Sequence, residues 1–227
     1  VDKAEENPEI AEQVNSKGVL NLVNALKKVD GNLIHISTDY VFDGNHSKPY
    51  KESDPVRPIG VYGQTKRAGE LAVLNSSIDA IVIRTSWLYS VYGNNFVKTM
   101  LRLGNEKKSI QVVSDQKGTP TYAKDLAKMC LDILSDASST NLSKKGSLYH
   151  YSNEGVTSWY DFSVAIMELG NIDCKVIPIE TKDYPTQARR PMYSVLDKSK
   201  IKSDFKVTIP HWRDSLTNCI KKINHNS

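Results

Sequence analysis

Apolar positions along the chain follow two different rhythms. After Asn7-Pro8, Ile10, Val14, Val19, Leu22, Val23 and Leu26 recur at helical intervals, and Asp30-Gly31 ends the run. That spacing predicts a helix over 8–29, capped by Asn7 with Pro8 in its first position. Leu33-Ile34-His35-Ile36-Ser37 and Ala80-Ile81-Val82-Ile83-Arg84-Thr85 are instead short, apolar and β-branched. They predict strands buried on both faces. A further helix is predicted over 61–74. Helix, strand, loop, helix, strand in that order gives an α/β fold with a parallel sheet. The connection over 38–58 holds Asp43-Gly44, Pro49, Pro55 and Pro58. A connection of that length inside a compact domain points to function.

Downstream the rhythm loosens. Helices are predicted over 95–103, 122–134, 159–169 and 212–223, and strands over 110–113, 148–151 and 175–179. A polar loop is predicted over 138–146. No clean linker separates these elements, so two interleaved lobes are expected. One takes 1–92 and 119–155; the other takes 93–118 and 156–227.

Composition narrows the classes. With 227 residues, 39% hydrophobic, 25% charged and a net charge of +4, the chain reads as globular rather than disordered. No apolar run approaches the roughly 20 residues of a membrane span. The lysine pairs 107–108, 144–145 and 221–222 form no stripe, which argues against nucleic acid as a partner. Cys130, Cys174 and Cys219 form no CxxC and suit a reducing, cytoplasmic setting. The five histidines have no metal-ligand spacing, so no metal site is expected.

The candidate chemistry lies at the carboxyl ends of the two strands, where open α/β sheets bind ligands. Ser37 and Thr38 end the first strand, and Thr85, Ser86 and Trp87 end the second. Their hydroxyls can polarise a carbonyl, or simply cap a strand end; Trp87 can face a ligand or pack in the core. Tyr62 and Lys66 form a YxxxK on one face of a helix. A lysine ammonium beside a phenol favours the phenolate and lowers its pKa, making the tyrosine a usable acid or base. YxxxK alone is weak, since chance gives roughly one in a chain of this composition. Gly60, Gly63 and Gly69 do not make a dinucleotide fingerprint, because no strand precedes them and the spacing is wrong.

Taken together, Ser37-Thr38-Asp39-Tyr40-Val41-Phe42-Asp43-Gly44, Val61-Tyr62-Gly63-Gln64-Thr65-Lys66 and Arg84-Thr85-Ser86-Trp87-Leu88-Tyr89 resemble the extended short-chain dehydrogenase/reductase family. More narrowly, they resemble its dTDP-4-dehydrorhamnose reductases. Val1-Asp2-Lys3-Ala4-Glu5, Asn94-Asn95-Phe96, Asp115-Gln116 and Arg190-Pro191 extend the likeness in order along the chain. The resemblance implies a Rossmann-type doubly wound parallel sheet with a smaller α/β substrate lobe. It also implies NADPH- or NADH-dependent reduction of the 4-keto group of dTDP-4-dehydro-6-deoxy-L-mannose to dTDP-L-rhamnose. Carried over residue by residue, Thr38, Tyr62 and Lys66 are catalytic. Ser37, Tyr62, Lys66, Thr85 and Ser86 hold the cofactor. Val1, Asp39, Tyr40, Trp87 and Arg190 hold the nucleotide-sugar substrate, with Arg190 near its phosphates.

Two departures follow from the same resemblance. The family's opening βα units, with the GxxGxxG fingerprint after the first strand, have no counterpart in this sequence. The abrupt start at Val1 is therefore read as a truncation of roughly 60 to 70 residues, at about 30 per βα repeat. Lys124, beside Asp125, stands where an acidic Mg²⁺ ligand between subunits is expected, which argues against a metal-bridged dimer; a homodimer is otherwise left open. Two alternatives remain: a non-catalytic regulatory subunit of the methionine adenosyltransferase type, and another nucleotide-sugar epimerase or dehydratase.

Overall fold

The structure is a computed structural model of the chain and describes residues 1–135 and 147–225. A short helix α1 (Asp2–Glu6) leads into one long helix in three parts: α2 (Pro8–Glu12), a π-helical turn (Gln13–Lys17) and α3 (Gly18–Leu26). Next come β1 (Leu33–Thr38), a 3-10 turn (Asp39–Val41), α4 (Val61–Leu74) and β2 (Ala80–Thr85). The chain continues through β3 (Leu88–Tyr89), α5 (Phe96–Glu106), β4 (Ser109–Val113), β5 (Lys117–Gly118), β6 (Thr121–Tyr122) and α6 (Ala123–Ser135). It ends with β7 (Ser147–His150), β8 (Thr157–Ser158), α7 (Trp159–Gly170), β9 (Lys175–Ile179), α8 (Ser199–Phe205) and α9 (Trp212–His225). The loop expected over 138–146 lies outside the described residues.

β1, β2 and β7 form a parallel sheet with β2 in the middle. β2 is wholly buried because its alternate residues enter different cores. Ala80 and Val82 pack with Val19, Val23 and Val73 of α3 and α4. Ile81 and Ile83 pack with Leu126, Met129 and Ile133 of α6 and Ile201 of α8 on the opposite face. Helices therefore cover both faces, as the α/β reading requires, and the all-apolar run of β2 is the sequence trace of that double burial.

A second core lies beside the sheet. β4 and β9 pair in parallel, and α5, α7 and α9 pack against them around Val97, Ile110, Phe162, Ile166 and Leu216. Asn153 joins this region to α6: its side chain accepts from Tyr122 N at 2.8 Å and donates to Asp125 at 2.8 Å and Ser215 at 3.0 Å. The connection after β1 is pinned to the 193–197 segment, with Tyr50 N donating to Val195 O at 2.9 Å and Tyr193 N to Gly44 O at 3.0 Å. Among the described residues, no helix is long and apolar enough to cross a membrane.

The first helix departs from its periodicity. Ile10, Val14 and Leu22 are 63%, 65% and 56% exposed, whereas Ala11, Val19 and Val23 are buried. The π-helical turn changes which residues face inward, and the inner face passes through Asn15, whose amide donates to Thr65 Oγ1 at 3.1 Å.

Candidate active site

Thr38 and Thr85 end β1 and β2 in register. Beyond them opens a pocket of about 290 Å³ lined by Val1, Ser37, Thr38, Asp39, Tyr40, Tyr62, Lys66, Thr85, Ser86, Trp87 and Arg190. Every residue singled out from the sequence thus borders one cavity. Ile36, Leu88 and Trp159 complete the wall.

α4 brings Tyr62 and Lys66 to this pocket, one helical turn apart. Two of its glycines are explained by close approach rather than by a phosphate. A Cβ at Gly63 would lie 2.2 Å from Tyr40 O, and one at Gly69 would lie 2.2 Å from Asn15 O. Glycine at these positions lets α4 lie against the backbone that follows β1 and against the first long helix.

The Lys66 ammonium donates to Ile36 O at 2.7 Å. Burial holds its pKa below the usual lysine range. The Tyr62 ring meets Tyr40 edge-on at 5.6 Å. Its phenol is pushed up, first by burial and then by the Asp39 charge, while the Thr38 hydroxyl pulls it down. This corrects the expectation that Lys66 lowers the phenol pKa: the ammonium is tied to the strand carbonyl, and desolvation prevails.

Thr38 Oγ1 donates to Asp39 Oδ1 at 3.0 Å and accepts from Tyr40 N at 3.2 Å. Burial pushes Asp39 up to about 7, with the Thr38 hydroxyl acting in the opposite sense. Its second carboxyl oxygen and the Ser37 hydroxyl are buried without a hydrogen bond of standard geometry, although Ser194 pulls the Asp39 pKa down and Ser37 pulls that of Glu70 down. The hydroxyls of Thr85 and Ser86 turn away to the 119–121 segment, Thr85 to Thr121 Oγ1 at 3.3 Å and Ser86 to Thr119 O at 2.8 Å.

Beneath these residues runs a buried polar row. Ser37, Arg84 and His150 are neighbours across the three strands. Arg84 donates to both carboxyl oxygens of Glu70 at 2.8 Å, and its guanidinium lies 5.0 Å from the Phe42 ring centre. Burial beside Arg84 lowers His150 to about 3, so it stays neutral.

On the other side, Arg190 donates to Tyr40 OH at 3.2 Å and pairs with Asp2 at 2.7 Å. Arg190 and Trp159 also border a second pocket of about 370 Å³, lined further by Phe96, Met100, Gln111, Gln116 and Tyr184. Trp159 had no functional signal in the sequence. It opens an apolar helix, so its pattern is that of a core residue, and only its stacking on Trp87 brings it to the site.

The model of the RmlD substrate binding domain matches residues 1–225. A dTDP-4-dehydrorhamnose reductase of Aggregatibacter actinomycetemcomitans is 42% identical over 225 residues, covering 96% of this chain and 76% of that protein. The crystal structure of a dTDP-4-dehydrorhamnose reductase from Clostridium acetobutylicum superposes with a TM-score of 0.92 at 39% identity, covering 99% of this chain and 77% of that one. That of Bacillus anthracis, in complex with NADP, superposes with a TM-score of 0.90 at 37% identity, covering 98% and 76%. The chain belongs to the dTDP-4-dehydrorhamnose reductase family.

Proposed function

We propose that the protein reduces the 4-keto group of dTDP-4-dehydro-6-deoxy-L-mannose to dTDP-L-rhamnose with NADPH or NADH. The observation that carries this is the convergence of Thr38, Tyr62 and Lys66 on one pocket with Trp87 and Arg190. The similar Bacillus anthracis enzyme was solved with NADP. The residues here suit a nicotinamide nucleotide. The Ser37 hydroxyl, the Tyr62 phenol and the Lys66 ammonium would offer hydrogen-bond donors to its ribose hydroxyls and carboxamide. The nicotinamide, when bound, supplies the hydride that reduces the sugar carbonyl.

The protein's own residues supply the proton and the field around the oxygen. Reduction calls for Tyr62 as an acid, and its raised pKa keeps the phenol protonated at neutral pH. Tyr62 gives that proton to the sugar oxygen and later regains one from solvent. Lys66, anchored on Ile36 O, keeps a positive charge at the same pocket, which favours the negative charge that develops on the sugar oxygen. Thr38 turns its hydroxyl from Asp39 to the same oxygen. An Asp39 near neutrality tolerates the loss of that bond better than an ordinary carboxylate.

Trp87 fits the sugar face, and the second pocket across Arg190 and Trp159 fits the nucleotide. The two interleaved lobes divide near 1–92 with 119–155 and 93–118 with 156–227, and α8 returns to the sheet. The three unpaired cysteines fit a reducing, cytoplasmic setting.

The test is NADPH oxidation with the dTDP-4-keto sugar. Tyr62→Phe is expected to cut kcat by roughly 10²- to 10⁴-fold and to leave dTDP-L-rhamnose binding nearly unchanged. Undiminished turnover in that variant overturns the assignment.

A further inference from the structure

Helix α4 carries Tyr62 and Lys66 in its first two turns, yet it starts without a cap of its own. Its N-cap residue, Gly60, has extended backbone (φ −146°, ψ 168°) and no side chain to bond the first amides. The Val61 amide is bonded nonetheless: it donates at 2.8 Å to Oε1 of Glu5, a residue 56 positions earlier on α1. The fit is close, since a Cβ at Gly60 would come 2.6 Å from that oxygen. A carboxylate here meets both a free N–H and the positive end of the helix dipole. Val61 directly precedes Tyr62, so the bond to Glu5 fixes the turn from which the phenol projects.

We infer that Glu5 is a positioning residue for the reduction, capping α4 from another helix and so holding Tyr62 in place against Thr38. The kinetic half of this inference rests on the function proposed above; the capping half does not. Gly60 and Glu5 form one unit in this view: the glycine gives up a local cap and leaves room for the distant one.

Two measurements on the full protein test it together: hydrogen exchange of the α4 first-turn amides and steady-state kinetics with the dTDP-4-keto sugar and NADPH. Glu5→Ala is expected to speed exchange at Val61 to Gly63. It should lower kcat by roughly tenfold or more, as misplacement of a reacting group does, while KM stays within about twofold because Glu5 does not border the pocket. Glu5→Gln keeps an acceptor oxygen and should stay close to the unaltered protein. In Glu5→Ala with Gly60→Ser, a local serine cap replaces the distant one at a backbone conformation that N-caps adopt. Exchange protection at Tyr62 or Gly63, the amides an N-cap serine bonds, and kcat should return, while Val61 stays unprotected. The inference is overturned if Glu5→Ala leaves exchange unchanged. It is also overturned if melting temperature falls with kcat intact, or if the serine restores protection but not kcat. If the unaltered protein turns over no dTDP-4-keto sugar, the functional reading fails, and the exchange comparison still decides whether Glu5 caps α4.

Discussion

The indole of Trp87 lies 3.6 Å from that of Trp159, centre to centre, with the planes 9° from parallel. Trp87 holds a φ of +46°, a left-handed conformation that costs a large residue on the order of 1–3 kcal/mol. Gly118 backs the same ring, where a Cβ would come within 2.5 Å of the indole. Trp159 is itself set by Ser158, which caps α7 by accepting from Asp161 N at 3.0 Å. Stack and glycine together keep Trp87 at the pocket wall. Trp159→Ala should therefore release it, and a lost aromatic stack of about 1 kcal/mol raises KM for the nucleotide sugar by roughly fivefold. Trp159→Phe should recover most of that loss. Steady-state kinetics check both, and an unchanged KM in Trp159→Ala would mean that the stack is packing alone.

The parts of this site that the sequence displays are those with a strand behind them. Thr38 and Thr85 follow apolar β-branched runs, so the ends of β1 and β2 are visible, and with them the candidate hydroxyls and the YxxxK that packs back. Short pairings such as β3 with β6 and β5 with β8 are two residues long and carry no period. α8 is seven residues with a single buried position, Ile201, which is too little for a helical rhythm. The burial of the first helix runs through Ala11 and Asn15 rather than Ile10 and Val14, because a π-helical turn breaks the 3.6-residue register on which the reading depends. Glu5 and Trp159 were invisible for another reason. Each acts on a partner far away in the chain, and no local pattern encodes a contact of that kind.

Asp39 makes stability depend on pH. Its folded pKa of about 7 stands above the ordinary 3.8 because the carboxyl is buried. Below about pH 4 both folded and unfolded chains hold the proton. From there to about pH 7 the unfolded chain releases a proton that the fold retains, so stability falls as pH rises; above pH 7 the cost is complete. Asp39→Asn removes the charge and keeps an oxygen for the Thr38 hydroxyl. It should be more stable than the unaltered protein at about pH 8, by a few kcal/mol at about 1.4 kcal/mol per unit. Urea melts should show that gap closing toward pH 4, and a gap independent of pH would contradict this account.

Glu70 works in the opposite sense. Burial pushes its carboxyl up, but the paired Arg84 bonds, the Arg84 charge, the Ser37 hydroxyl and Arg67 overcome this and hold it below the ordinary carboxylate range. The side chains of Arg84 and Glu70 are both fully buried. Removing one charge strands the other. Arg84→Met should cost about 3–5 kcal/mol, read in denaturant melts at neutral pH, although Arg67 still bonds Glu70 at 2.7 Å. Replacing both partners, as Arg84→Met with Glu70→Met, should recover part of that loss. A single variant as stable as the unaltered protein would show that Arg67 alone suffices.

Asp2 holds Arg190 at the pocket wall. Asp2 accepts from Arg190 Nη2 at 2.7 Å and from Ala188 N at 3.2 Å, so one carboxylate bonds both a side chain and the backbone of the segment that follows β9. The pair is partly exposed, with side-chain exposures of 43% for Asp2 and 28% for Arg190, and an ion pair in that setting contributes at most about 1 kcal/mol to stability. Its effect is on the aim of the guanidinium, which also reaches Tyr40 OH. Asp2→Asn should leave the melting temperature nearly unchanged and raise KM for the nucleotide sugar a few-fold, equivalent to about 1 kcal/mol or less. The increase should shrink as salt screens the pair in the unaltered protein. In an Arg190→Gln background the same change should add nothing, because the group that Asp2 orients is gone. Additive effects of the two substitutions on KM would show that Asp2 acts on the substrate by another route.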